Sequence, residues 1–373
     1  MKKIIIFLLF VLSVSLLQNV YAQENEFLEG FTIGGGITLN LQNLQNSNVI
    51  DPISADGEVL ETNKTPTIGQ YSVDLTIEKA FDDNNKAFIH LETGKGNINY
   101  YLDSYAGINR DADDTGVVRV SEAWFEHKFT DNFSMSAGVL DPTLSLDNNA
   151  YANNETTQFI GNMFRNAVNI NFSDNAFGIK AIYETDFADF AVQYLDASNY
   201  QDLTKYGFAS AQVNFKPNFI DDMEGNYRIY GWTNTNDYGK IDDNENTEKD
   251  YGFGISIDQQ LSDIFGAFAR YSLSNKNIDS ASQTWSLGLQ AKVSLIGEED
   301  IVALAYGQVD PSEKYKDYVN ENAKAESHLE LYYSWNVTSY LAISPDFQIV
   351  ENPYFDENAD TAYVSSIRMQ ISF

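Results

Sequence analysis

The sequence predicts an all-β protein, a transmembrane antiparallel β-barrel of sixteen strands. Three observations carry that expectation. Alternating apolar and polar segments of about ten residues, the length a tilted strand needs to cross a bilayer, recur along the whole chain. Beyond the first residues no stretch approaches the roughly twenty apolar residues of a membrane helix, so any membrane residence must be through strands. The composition is rich in aromatics, with Tyr 23 and Phe 24, and poor in proline, with 7 in 373 residues. Rings in that number suit the two interfacial girdles of a barrel. A negative mean hydropathy agrees, because a barrel with a polar lumen shows lipid only its outer band.

The N-terminus reads as a signal peptide over residues 1–22. Lys2 and Lys3 precede the apolar run Ile4 to Leu17, and Val20-Tyr21-Ala22 offers small residues for cleavage before Gln23. Residues 23–373 then form a single barrel domain, because no Gly/Ser/Pro-rich linker interrupts them. With 0 Cys there is neither a disulfide nor a thiolate metal site. The formal net charge of -31 repels nucleic acid and is otherwise the charge of solvated loops.

Strands follow from period-two alternation, since successive side chains leave a strand on opposite faces. Phe31, Ile33, Ile37, Leu39 and Leu41 share one face; Tyr71, Val73, Leu75 and Ile77 share another. Further segments run from Lys86 to Glu92, Val117 to Phe129, Asn132 to Leu140, Ala176 to Glu184, Ala188 to Asp196 and Tyr206 to Phe215. Asn226 to Thr233, Asp250 to Gln259, Phe265 to Leu273, Gln283 to Val293 and Ile301 to Val309 continue the series. Leu329 to Trp335 and Tyr340 to Val350 lead to the closing strand, Tyr363 to Phe373. That last strand has Tyr363, Ile367, Met369, Ile371 and Phe373 on one face and Ser366, Arg368 and Gln370 on the other. A doubtful extra segment, Ala167 to Phe172, would break the even strand number of single-chain bacterial barrels. It belongs instead to one long loop from Asp141 to about Asn175. Six prolines fall in connections, at 52, 66, 142, 217, 311 and 353, where no ladder donor is needed. Pro345 lies inside a strand on its outward register and should force a bulge.

Charged residues inside strands fix which face is the lumen, because Arg or Lys on the lipid face costs about 2–4 kcal/mol at mid-membrane. Arg228 therefore brings Tyr230 and Trp232 inside; Glu122 brings Trp124; Arg270, Glu330, Asp346, Gln348 and Arg368 face inward by the same alternation. Sugars present hydroxyl edges suited to bidentate Arg and carboxylates, and C–H faces that lie on aromatic rings. A lumen wall of these ten residues could return a desolvated sugar's hydrogen bonds. The plainer reading is that they are wall charges forming ladders with one another.

Enzymatic readings are poor. His90, His127 and His328 share no metal-ligand spacing, and no nucleophile elbow or phosphate loop is present, so no catalytic residue, metal or cofactor is expected. Asp111-Ala-Asp-Asp-Thr-Gly116 followed by Glu122 approaches calcium-loop spacing, but it has Thr115 at the fifth position and no flanking helices; a plain Asp/Gly turn is favoured.

Two separated stretches carry a family resemblance. Glu330-Leu-Tyr-Tyr, Ser344-Pro-Asp-Phe-Gln348, Glu351-Asn-Pro353 and Ser366-Ile-Arg368 to the final Phe resemble the C-terminal signature of carbohydrate-selective porins of the OprB family. Gly138 to Phe159 resembles that family's constriction-loop segment. The resemblance implies an outer-membrane pore for small neutral solutes, mono- or oligosaccharides. It also implies that the loop 141–175 folds into the channel, with Asp147, Asn148, Asn149, Glu155, Gln158 and Arg165 facing the pore. Within the loop, Asn154-Glu-Thr-Thr-Gln-Phe159 could start a short helix capped by Asn153 or Asn154. The implied surroundings are outer-membrane lipid and lipopolysaccharide, with monomer and homo-trimer both open. A general or cation-preferring diffusion porin is the competing expectation, favoured by the acidic balance.

Overall fold

The computed structural model of the chain describes residues 29–49, 52–53, 57–111, 116–198 and 204–373. The expected leader, residues 1–22, lies outside them, as do residues 112–115 of the calcium-like stretch.

Sixteen antiparallel strands form one closed barrel, each hydrogen-bonded to its neighbours in sequence. In order they are β1 (Phe31–Gln45), β2 (Thr67–Ala80), β3 (Asn85–Lys95), β4 (Arg119–Thr130), β5 (Phe133–Leu140), β6 (Ala176–Glu184), β7 (Ala188–Asp196) and β8 (Gly207–Phe215). β9 (Gly225–Gly239), β10 (Thr247–Gln260), β11 (Phe265–Ser274), β12 (Ala281–Val293), β13 (Asp300–Pro311), β14 (Glu326–Thr338), β15 (Leu341–Glu351) and β16 (Ala362–Ser372) follow. β16 pairs with β1 from Gly36↔Ser372 to Gln45↔Tyr363, and Phe373 and Gly35 exchange backbone hydrogen bonds of 3.0 and 3.1 Å. Closure leaves no strand edge unpaired, which backbone in a bilayer requires.

The outward face is apolar: Leu41, Phe125, Ile179, Ile229, Leu289 and Ile367 are all exposed on the barrel wall. Rings gather where the short connections lie; Phe129 meets Phe133 at 5.5 Å and Phe219 meets Tyr227 at 5.1 Å. Stacking Phe347 on Tyr363 and tilting Trp285 against Tyr306 adds contacts towards the other rim.

Three expectations need correction. Pro345 makes no bulge. Its pairing with Ile367 of β16 is uninterrupted, and on the β14 side the ladder passes from Tyr332↔Asp346 to Trp335↔Ile343 in one register. A proline missing one donor is accommodated by a local gap in the ladder rather than an inserted residue. The bulge between these strands falls at Asn336/Thr338 instead. Pro311 is the last residue of β13, paired with Ala281 at a ladder end where its missing N–H is tolerated, rather than in a connection. Finally, Asn154 to Phe159 is a single turn. Asn154 Oδ1 does accept from the Thr156 and Thr157 amides, and Gln158 N bonds Asn154 O at 2.7 Å, but no helix follows. The wall captures the backbone groups that would extend it, as described next.

Candidate functional site

The long loop 141–175 lies inside the barrel, and wall residues hold it by its backbone. Arg270 on β11 donates Nη1 to Phe164 O at 2.8 Å and Nη2 to Asp147 O at 3.1 Å and Ala152 O at 2.5 Å. Its Nε reaches Asp147 Oδ1 at 3.2 Å, an ion pair with 1% and 0% of the two side chains exposed. Arg368 on β16 donates Nη1 to Glu155 O at 2.8 Å and Gln158 O at 2.7 Å. Glu330 on β14 accepts from the Ile160 amide at 2.5 Å and the Gly161 amide at 3.0 Å. Arg228 on β9 pairs with Asp258 on β10, and Asp258 accepts from the Ala150 amide at 3.2 Å. A loop interior needs a partner for every amide and carbonyl, and here the barrel wall supplies many of them. Burial pushes the Asp147 carboxyl up, while Arg270 and the Ala167 amide act to bring it down.

In the connection between β3 and β4, residues 96–111 also turn inward; its length alone gave no sign of it. Glu326, at the base of β14, accepts from the Tyr105 amide at 2.8 Å, the Ala106 amide at 3.0 Å and Ser104 Oγ at 2.9 Å. The same carboxylate accepts from the Tyr354 amide at 2.6 Å and lies 2.7 Å from His328 Nε2. Gln348 donates to Ile108 O at 3.1 Å, and Asn109 donates to Gln42 Oε1 at 2.6 Å. The two loops bond each other through Arg110 N to Ile160 O at 2.9 Å and Asn162 Nδ2 to Ala106 O at 2.8 Å.

These loops bury one side of the lumen. Phe159, Met163 and Phe164 of the long loop and Ala106 of the other form an apolar cluster with Phe268, Ala303, Ala305 and Tyr332 on the wall. The wall makes room by being small: a Cβ on Gly307 would stand 2.4 Å from Met163 Cε, and one on Gly266 would stand 2.2 Å from the Tyr151 ring. Close approach, not backbone freedom, sets these glycines. A second cluster places Tyr230 and Trp232 against Leu146, Ala167 and Phe208.

All ten residues expected on the lumen wall do point inward, yet nine are buried. Arg228, Tyr230, Trp232, Arg270, Glu330, Asp346, Gln348, Arg368 and Glu122 are each 6% exposed or less. All but Glu122 lie on the loop-covered strands β9, β11 and β14 to β16, so there they meet loop or wall rather than open lumen. Trp124 alone is half-buried. Of the loop residues expected at the pore, Asp147 and Asn149 are buried, Asn149 on Ser256 and Ile257 O at 3.2 and 3.0 Å. Gln158 folds back onto Ala150 O at 2.8 Å, and Asn148 accepts from Gln212 at 2.9 Å. Glu155 and Arg165 remain partly exposed as an ion pair of 2.6 Å.

Along β2 to β6, by contrast, many inward residues keep partial exposure and line open lumen, although Gln70, Ser72, Glu122 and Ser136 there are buried. Asp74 on β2, His90 and Glu92 on β3, Arg119 and Trp124 on β4 and Lys180 on β6 form a charged band. His90 Nε2 lies 2.9 Å from Asp74 Oδ1, Arg119 pairs with Glu92, and Lys86 approaches Glu126 at 3.3 Å. Trp124 stacks on Phe88 with ring centroids 5.0 Å apart, Lys86 and Lys180 stand 5.6 and 5.8 Å from its ring, and its indole N–H donates to Glu122 at 3.0 Å. Sequence reasoning picked Trp124 but passed over Phe88, Asp74 and Lys180, each of which sits on the inward parity of a recognised strand.

A closed sixteen-stranded barrel with inward loops and a polar strip of open lumen is the architecture of a porin. The model of the family described as "Carbohydrate-selective porin, OprB family" matches residues 89–373, and the chain belongs to that family. Among solved structures, the high-pH form of Pseudomonas putida OprB superposes with a TM-score of 0.78 at 13% identity, covering 95% of this chain and 97% of that one. The low-pH form of the same protein gives 0.57 at 15% identity, over 93% and 94%. A mutant Rh. blastica porin gives 0.53 at 11% identity, over 92% of this chain and 100% of the other. At these identities the likeness shows the fold. No curated protein sequence matches the chain.

Proposed function

We propose that this outer-membrane diffusion porin passes neutral sugars along the β2–β6 wall, with the Trp124–Phe88 pair as the surface on which a sugar's C–H face lies. The observation that carries this reading is the one-sided burial of the lumen. The aromatics of β9 are sealed under the long loop, whereas Trp124 and Phe88 stay partly exposed among charged neighbours. Asp74, Glu92, Lys180 and Arg119 then supply charge-assisted partners for hydroxyl edges. The loop's partly exposed Glu155–Arg165 ion pair supports a narrowing of the path from the loop side. No energy source or catalytic group is needed for diffusion.

Planar-bilayer recording of the refolded protein tests the reading. A neutral sugar should reduce ion current saturably, and Trp124→Ala should weaken that block while Trp232→Ala, in a folded barrel, leaves it. The row of carboxylates on the open wall and the net charge of -31 favour a second reading, a general cation-preferring pore. Current that ignores every sugar tried, with strong cation selectivity in a salt gradient, would establish that second reading instead.

A further inference from the structure

Asp74, His90 and Glu92 offer ligand atoms that all lie within 4.8 Å of one another on the open wall. The strand ladder fixes their grouping. Asp74 and Glu92 are direct cross-strand partners on β2 and β3, and His90 is two residues from Glu92 on the same face. Like charges placed directly opposite destabilise a sheet unless a cation lies between them. Across the next strand pair Glu122 is the partner of His90, and it is 6% exposed. Its Oε1 stands 4.0 Å from His90 Nδ1, aimed at the imidazole but beyond hydrogen-bond distance. Arg119 grips Glu92 through Oε1 with a side chain 54% exposed.

We infer that this cluster is a divalent transition-metal site in the lumen wall, taking an ion of the zinc class. One imidazole nitrogen with carboxylate oxygens suits zinc and its neighbours, whereas calcium and magnesium take oxygen alone. His90 Nε2 and Asp74 Oδ1, hydrogen-bonded at 2.9 Å, would exchange that bond for the ion and part to the wider edge of a tetrahedral shell with bonds of about 2.0–2.2 Å. The three side chains are 20%, 28% and 24% exposed, so an ion reaches them from the channel and water completes its shell. Trp124, hydrogen-bonded to Glu122, stands beside the site. A bound dication therefore sits in the open strip, where it offsets the acidic wall and obstructs cation flow.

Isothermal titration of the detergent-refolded barrel with ZnCl2 tests this, with CaCl2 as the comparison ion. The wild type should bind one zinc ion more tightly than any calcium. His90→Gln and Asp74→Asn, each checked as a folded barrel by circular dichroism, should each weaken zinc binding about tenfold or more. A measurement that needs no variant is the visible spectrum of the Co2+-loaded wild type, which should show d–d bands that zinc abolishes. Zinc affinity untouched by both substitutions, calcium binding of equal strength, or no zinc-competed cobalt spectrum would each overturn the assignment. None of these readouts involves a sugar, so the site stands or falls apart from the proposed cargo.

Discussion

The two sides of the lumen are built by the same strand grammar and have opposite character. Inward positions of β13 read Ala303, Ala305, Gly307 and Val309, and the first, second and fourth are 1%, 1% and 0% exposed beneath the loops. Inward positions of β3 read Lys86, Phe88, His90 and Glu92, all partly exposed. Small apolar residues on an inward face mark where a loop packs; long charged ones mark where water remains. The barrel thus carries a dry core on one flank and a channel on the other.

The largest effect should come from unpairing the dry flank. Arg270→Ala leaves Asp147 buried without its cation and removes the donors holding four loop residues. Breaking a buried pair of this kind costs about 3–5 kcal/mol. A lower heat-modification midpoint, with raised and noisier single-channel conductance, is the expected record. Arg119→Ala on the wet flank breaks an ion pair whose guanidinium is half exposed to solvent, and should move the midpoint little.

A smaller effect sharpens the contrast in packing. Gly307→Leu drives a side chain into Met163 and should cost about 1–3 kcal/mol by overpacking. Thr76→Leu, inward on β2 but half-exposed, should be near neutral in urea unfolding. Equal penalties would mean that the β2 side is filled as well.

Smaller again is the pH response of the segment 96–111 where it meets the wet flank. Burial pushes the Asp111 carboxyl, which accepts from Ser72 Oγ at 2.7 Å, up to about 8. The folded chain therefore holds this proton more tightly than the ordinary value of 3.8 allows. Its contribution to seating the loop is full below that ordinary value, falls as pH rises, and levels off above about 8. Single-channel conductance should rise as pH is raised from about 4 to about 8 and change little above that, and Asp111→Asn should flatten the curve.

This contrast explains what was legible in the sequence. Strand alternation is a local signal, so all sixteen strands and the inward parity of Arg228, Arg270, Glu330 and Arg368 could be read from it. What those arginines touch is not local. Arg368 meets carbonyls of Glu155 and Gln158 more than two hundred residues away, and no spacing announces that. Alternation gives Arg270 and Arg368 as inward charge, but not that their guanidinium groups bond carbonyls of the long loop. The signal that separates the two flanks was present in the glycine and alanine run of β13, and in the contrast between the inward residues of β3 and β13.

The account rests on one flank being open and the other sealed, and the chain's lack of cysteine permits a clean test. Single cysteines at Thr76, Ser134 and Lys180, and at Ser256, Ser286 and Ala305, are to be exposed to a charged methanethiosulfonate reagent during bilayer recording. The first three should react quickly and step the conductance down. The second three, at 0%, 3% and 1% exposed in the native chain, should stay unmodified while the channel conducts. Fast modification of Ser286→Cys and Ala305→Cys, with Thr76→Cys and Lys180→Cys inert, would place the channel on the flank that the loops are said to fill and contradict the account.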